Sequence, residues 1–435
     1  VQRFRHDIED IIMSFQDLHG HTLSGADARA VEHYENGAAL LRCYVGDPLA
    51  PTQAAITQAP EMTMAHVLVA YLYLLGTEPA GVQVARDAHA RAAALPGTER
   101  EAMHVQAAGH LAQGRWHAAG RVLEDLTARY PHDILALQAG HQVDFFTGAS
   151  RMLRDRIARA HSHWRDGMPG HHAVLSMLAF GLEENADYAA AERHGRRSVE
   201  LEPRDGWGWH AVAHVMEMQD RRRDGVAWLG NHHATWSDGS FLAVHNWWHL
   251  ALFHLGLDQV DEVLALVDER MLGTGSPIVL EMVDASAILW RLQLRGVAVG
   301  PRWNALAERW AAVSAQSIYA FNDMHAMMAF VGADRMADAE RLLLAQEQAL
   351  ERDDDNRGFL RDVGLQATRA IRDFATGDYV AAIERLRSIR PHAQRFGGSH
   401  AQRDVIDQTL VEAASRAGDT SLADALRRER AFVRL

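Results

Sequence analysis

From Glu61 onward the apolar residues of this chain keep a helical period that hardly breaks, and short turns interrupt it at nearly constant intervals. The stretch LAQGRWHAAGRVLEDLTARYPHD turns at Gly114 and then sets Trp116, Ala119 and Pro131 in order behind the turn. FFTGASRML turns around Gly148, and GLEENADYAAAERHGRRSVELEPRD repeats the same order with Tyr188, Ala191 and Pro203. Further turns fall near Asp220 and Leu257, and more degenerate units follow around Pro301, Asp334 and Gly377. The regular units recur every 34 to 38 residues or so, the length of a helix–turn–helix repeat. A two-helix unit of that size cannot bury its apolar faces alone, so each must stack on its neighbours. No alternating strand pattern of useful length is present. The expected fold is therefore all-α: an α-α superhelix (solenoid) of such repeats, open or closed around an interior pocket.

The order of small turn residue, aromatic, alanine and proline resembles a tetratricopeptide unit. At 435 residues the length alone would suggest two or three domains. The continuous repeat outweighs it and predicts residues 1–27 as an N-terminal helix and turn, then one repeat domain over 28–435. The opening FRHDIEDIIMSF reads as a short helix. His19 and His21 flank Gly20 on the following turn and are expected to face solvent. Ser24 or Asp27 would cap a helix from Ala28 that puts Val31, Tyr34, Ala38, Leu41 and Tyr44 on one face. ERDDDNRG (351–358) is expected to connect helices, and LADALRRERAFVRL to form a final capping helix.

Composition removes several functions. A net charge of −13 argues against nucleic acid as a partner, and the arginine runs ERHGRRSVE and QDRRRDG carry acids that make them solvated helix faces. All 44 basic residues are arginine. Without lysine there is no Schiff base, no pyridoxal phosphate attachment and no phosphate-loop lysine. No apolar run approaches a membrane span, and the N-terminus lacks a signal peptide's apolar core. A lone Cys43, in ALLRCYVGD, excludes an internal disulfide and reads as buried filler, which fits a cytoplasmic setting. The alanine- and arginine-rich composition suggests a GC-rich bacterial coding sequence.

Chemistry concentrates at 206–256. Seven of the 26 histidines lie between His210 and His254, with Trp228, Trp236, Trp247 and Trp248 among them. His210/His214 and His245/His249 are each spaced i,i+4, so each pair shares a helix face. Both helices are first helices of their units and should line the concave surface. Glu217 falls on the His210/His214 stripe, while Trp207 and Trp248 should wall the same space. Three readings stay open. The four histidines could hold a divalent metal such as zinc or iron, although HAVAH lacks the glutamate of HExxH. They could form a metal-free pocket in which neutral imidazole and Glu217 bind a polar ligand or move protons. Or they could be a buried network joining neighbouring helices.

Two outlying segments extend the candidate site. In YAFNDMHAMMAF, Asp323 reads as an N-cap with His325 in the first turn. In FGGSHAQRD, Ser399 and Gln402 form a capping box, and His400, Arg403 and Asp404 stand where a helix N-terminus could take an anion.

Together DGWGWHAVAHVMEMQDRRRDG, VHNWWHLALFHL, YAFNDMHAMMAF and FGGSHAQRDV resemble the tetratricopeptide repeat protein 38-like family, over nearly the whole chain from about Ser24. The resemblance implies a closed or tightly wound helical-repeat fold. It also implies that His210, His214, Glu217, His245, His249, Asp323, His325 and the GGSHAQRD segment belong to the family pattern; it implies no particular chemistry. Asp220 departs from the glycine favoured at that turn.

The functional expectation is a repeat protein that binds a small polar or anionic molecule in a His/Trp-lined pocket. As an enzyme it would be a hydrolase or another acid/base catalyst. His210, His214, Glu217, His245, His249 and His325 would carry the chemistry, and Trp207, Trp248, Asp323, His400, Arg403 and Asp404 the binding. No cofactor is required, although a divalent metal could sit on His210, His214, His245 and His249. The alternative is a non-catalytic tetratricopeptide scaffold that takes a peptide or protein partner in its concave groove; association into a homo-oligomer is compatible with either.

Overall fold

The computed structural model describes residues 15–433, so the expected opening helix lies almost wholly outside the described residues. After a turn closed by the isolated bridge Gln16–Thr22, helix follows helix to the C-terminus. His19 and His21, expected in solvent, are half-buried. Asp17 lies 3.0 Å from His21 Nδ1, and the His19 ring meets Trp164 edge-on. Asp27, not Ser24, caps the helix Ala28–Cys43, accepting from Ala30 N at 2.8 Å. Ser24 donates to Glu101 instead.

Helices alternate between an inner and an outer layer, as a tetratricopeptide-type superhelix requires. The inner set comprises Thr63–Leu74, Glu99–Ala112, Ile134–Phe146, His171–Glu183, Gly206–Met218, Ala243–Gly256, Val279–Leu294, Ala320–Gly332, Leu365–Ala375 and His400–Arg416. Burial separates the layers. The inner helix Val279–Leu294 buries residues on every face, whereas the outer helix Tyr188–Leu201 buries only Ala191, Gly195, Ser198 and Val199, a single stripe.

Between inner and outer helix the chain passes through a left-handed residue: Thr77, Gly114, Gly148, Ala186, Asp220, Asp258, Gly296, Asp334, Gly377 and Gly418 all have positive φ. Their spacing runs from 34 (Gly114 to Gly148) to 43 (Asp334 to Gly377). Only some are glycine, so the turn costs about 1 kcal/mol at Ala186 and Thr77 and neighbouring packing holds it. The turn expected near Leu257 is made by Asp258, and the one around Pro301 by Gly296 and Gly300, with Pro301 standing just ahead of the helix Arg302–Val313.

The superhelix closes on itself. Tyr319 Oη donates to Phe146 O at 2.9 Å, across 173 positions, and Asn322 Nδ2 to Thr77 Oγ1 at 3.0 Å, across 245. Asp355 N, in the expected polar connector, donates to Gly114 O at 3.0 Å. The inner helix His400–Arg416 packs back on Gly206–Met218 and Val279–Leu294, where Arg291 donates to Ala401 O and Trp290 to Thr409. The concave face is thus largely filled by the chain's own inner helices. Thr420–Val433 forms the expected last helix.

Candidate functional site

Two inner helices carry the paired histidines, and their seating is specified locally. Asp205, fully buried, caps Gly206–Met218: one carboxylate oxygen accepts from Trp207 N and Gly208 N at 3.1 Å, and the other accepts from Ser198 Oγ at 2.7 Å and faces His172 Nδ1 at 2.9 Å. A Cβ on Gly208 would press on Ser198 and Val199, so glycine there lets the helix close on Tyr188–Leu201. Asn246 Nδ2 then donates to Gly206 O at 3.2 Å, tying the second histidine helix, Ala243–Gly256, to the first. Ahead of that helix, Phe241 N donates to Tyr44 O and Gly46 N to Gly239 O.

These seats bring His210, His214, His245 and His249 together. Each offers one ring nitrogen such that all four nitrogens lie within 4.8 Å of one another. His210 and His245 face each other Nε2 to Nε2 at 3.0 Å. The other nitrogen of His245, Nδ1, lies 2.9 Å from both oxygens of Asp284, a buried carboxylate on the helix Val279–Leu294. A carboxylate can only accept, so Nδ1 carries a proton, and the contact between the two Nε2 atoms requires one of them to donate and the other to accept. Glu183 Oε2 approaches His214 Nδ1 at 3.5 Å. Trp207 and Trp248 wall the cluster as expected, with centroids 4.4 Å from His210 and 4.9 Å from His249.

Electrostatics disfavour the charged form of three of the four histidines. Burial, then the neighbouring imidazoles, hold His210 well below the ordinary histidine range. His214 is lowered likewise by burial, His245, His400 and Arg403, and His249 by burial, His214, His245 and Arg291. Glu183 is pushed well above the carboxylate range by burial and by Glu184 beside it. Both nitrogens of His214 and of His249, Nδ1 of His210 and both Glu183 oxygens make no hydrogen bond among the described residues. Buried polar atoms are rarely left so, which makes this group the candidate site.

His210, His245 and Asp284 form one end of an interior cavity of about 310 Å³. Its walls are mainly apolar, with Tyr44, Leu72, Leu75, Phe145, Trp207 and Phe241 prominent. Glu78 and Glu281 also reach it, the Glu78 carboxyl pushed up to about 7 by burial. No arginine lines it, so of the polar or anionic ligand expected from sequence it does not suit an anion.

The remaining expected residues separate from this cluster. Glu217 sits one turn beyond His214, rotated about 60° off its line. It lines a second cavity, of about 430 Å³, together with Glu184, His400, Arg403 and Asp404. That cavity's charges are already matched. Glu184 Oε1 accepts from His400 N at 2.8 Å, so the chain's own carboxylate takes the helix N-terminus expected to bind an anion. Arg403 donates to Gly398 O and lies 3.4 Å from Glu184, and Asp404 pairs with Arg430 at 2.9 Å. The Ser399/Gln402 capping box forms as expected.

Asp323 is not an N-cap. Its helix begins at Ala320, and Asp323 lies buried inside it, accepting from Ser317 Oγ at 2.6 Å and Gln346 Nε2 at 3.1 Å. Its carboxyl is pushed up to about 7 by burial. His325 is buried in the same helix, its Nδ1 bonded to Phe321 O at 2.8 Å, and does not join the four-histidine group.

Sequence reasoning missed Asp284, Glu183 and His141. His141, against Trp207 on the cavity wall, has neither nitrogen bonded and is lowered to about 3 by burial. The signal was the repeat itself: His245 follows His210 by 35 positions, and Asp284 follows His245 by 39. Stepping one repeat along the inner helices finds the partner.

No family model matches the chain. Among solved structures it is similar to yeast Tom70, at 10% identity with a TM-score of 0.42, covering 92% of this chain and 90% of that one. It is also similar to the tetratricopeptide domain of P58(IPK), at 14% identity with a TM-score of 0.22, covering 90% and 99%. Among the described residues, no helix is long and apolar enough to cross a membrane.

Proposed function

We propose that this tetratricopeptide-type protein binds a small, largely apolar molecule in its interior cavity and presents the polar end of that molecule to His210 and His245. One observation carries the reading: a mainly apolar cavity is lined by the imidazole of His245, which a buried carboxylate, Asp284, orients so that Nε2 meets His210. Pockets of a few hundred Å³ with apolar walls and few convergent polar groups are the usual form of small-molecule sites. The catalytic form is an acid/base enzyme such as a hydrolase: His245 Nε2 takes a proton from water as the water attacks an ester or amide carbonyl. The half-buried Cys43, its thiol pushed up to about 12 by burial and Asp205, is not a nucleophile in this scheme. The resemblance to the tetratricopeptide repeat protein 38-like family, and one continuous domain over 28–435 in a cytoplasmic setting, belong to the same proposal.

Neutral p-nitrophenyl esters of graded chain length test it, with tryptophan fluorescence reporting binding and nitrophenol release reporting turnover. Medium-length esters are expected to bind. Leu72→Trp, which fills the cavity from its wall, should abolish binding, and His245→Gln should keep binding but lose turnover by about 100-fold or more. Binding that is indifferent to Leu72→Trp would place it elsewhere. The second reading, a scaffold for a peptide or protein partner, is supported by the repeat architecture itself. One stoichiometric protein partner recovered by pull-down, with no ester bound, would favour it.

A further inference from the structure

We propose that His210, His214, His245 and His249 are the ligands of a single first-row divalent transition metal, with an open coordination position on the interior cavity. This deepens the interior-site reading, resting on it for that open position, and replaces its imidazole base: Asp284 holds Nδ1 of His245, so Nε2 becomes a ligand and activation of the water falls to the ion. The donor set is four imidazoles contributed in pairs by two helices that Asn246 locks together. All-nitrogen donors select zinc, iron, copper or nickel over calcium or magnesium. At metal–nitrogen bonds of about 2.0–2.1 Å, ligand nitrogens lie roughly 3–4.2 Å apart. The His210–His245 pair is already at 3.0 Å, and small ring rotations bring in the others from within 4.8 Å.

Three further observations agree. The buried nitrogens of His214 and His249 that make no hydrogen bond among the described residues are those a metal would use. Asp284 holds the far nitrogen of His245, and Glu183 stands 3.5 Å from that of His214, the outer carboxylates that commonly orient metal-bound histidine. Finally, His210 and His245 line the cavity while His214 and His249 do not, so a bound ion would face the cavity on one side. The neighbouring set Glu183, Glu184 and His214 is a weaker candidate, because Glu184 is already engaged by the His400 amide and near Arg403.

The test uses the full chain without a histidine tag, stripped with chelator and titrated with Co²⁺ and with Zn²⁺ against a chromophoric chelator. One equivalent should bind with a dissociation constant below about 1 µM, with cobalt absorption bands of a low-coordinate nitrogen site. Asp284→Asn should weaken binding about 10- to 100-fold, and His214→Gln/His249→Gln should remove it. Wild-type protein that takes up no equivalent, or a double variant that binds as tightly as wild type, overturns the assignment. The wild-type titration stands even if that variant misfolds. Leu72→Trp separates the two readings: it should block ester binding and leave metal binding intact. In the wild type, metal uptake without ester binding would overturn the interior-site reading alone, and ester binding without metal uptake the metal assignment alone.

Discussion

Two buried histidine clusters lie in the same inner helical layer, and they differ in what their nitrogens touch. Around His104 the groups are matched. Asp133 accepts from Arg100 Nη1 at 2.7 Å and from Ala136 N at 3.0 Å, and lies 2.8 Å from His104 Nε2, while Tyr71 Oη sits 3.1 Å from His104 Nδ1. Around His210 the imidazoles face one another and most of their nitrogens bond to nothing. His104, His210, His214 and His249 are all buried, so burial does not distinguish the two groups. The difference is satisfaction. A matched network holds helices in register, and the proposed site lies in the group whose nitrogens are unmatched.

The largest expected effect breaks the matched cluster. Asp133→Ala leaves a buried guanidinium without its carboxylate and uncaps the helix Ile134–Phe146. We expect it to lower unfolding stability by about 3–5 kcal/mol in denaturant titration, with metal and ester binding per folded molecule unchanged. A loss under about 1 kcal/mol would mean the network contributes little.

A somewhat smaller effect comes from histidines that burial keeps neutral. His325 is lowered to about 4 and His141 to about 3, against about 6.5 in an unfolded chain. Their folded-state values lie below the unfolded one, so on acidification the unfolded chain takes up protons first. Stability should therefore decline as pH falls below about 6.5 and level off near the folded values. For His325 alone the full decline is about 3 kcal/mol. His325→Leu should flatten the acid limb by roughly that amount relative to wild type. An unchanged slope would show that His325 titrates normally.

The sequence displayed the fold more plainly than the site, for physical reasons. Helical period and turn spacing are local, so Gly114, Gly148, Asp220 and Gly377 could be read as turns without knowing what stacks on what. The i,i+4 histidine pairs were legible for the same reason. Asp284 and Glu183 were not, because they join the cluster only when one repeat stacks on the next. Closure of the superhelix was hidden too, since contacts such as Tyr319 to Phe146 leave no periodic trace. Asp323 misled because an acid near a helix start reads as a cap, whereas the helix begins three residues earlier and buries it.

The smallest expected effect sharpens the boundary between the two cavities. Glu217 shares a helix with His210 and His214, and from sequence it belonged with them. The helix carries it past the cluster to the second cavity, beside Arg403, Asp404 and Arg430. There the charges already have partners, as the Glu184–His400 and Asp404–Arg430 contacts illustrate, so this cavity does not share the unsatisfied character of the first. Glu217→Gln should therefore change stability by no more than about 0.5 kcal/mol and leave ester and metal binding within about twofold of wild type. A tenfold loss of either would put Glu217 back in the histidine site, and would mean that the two cavities act as one.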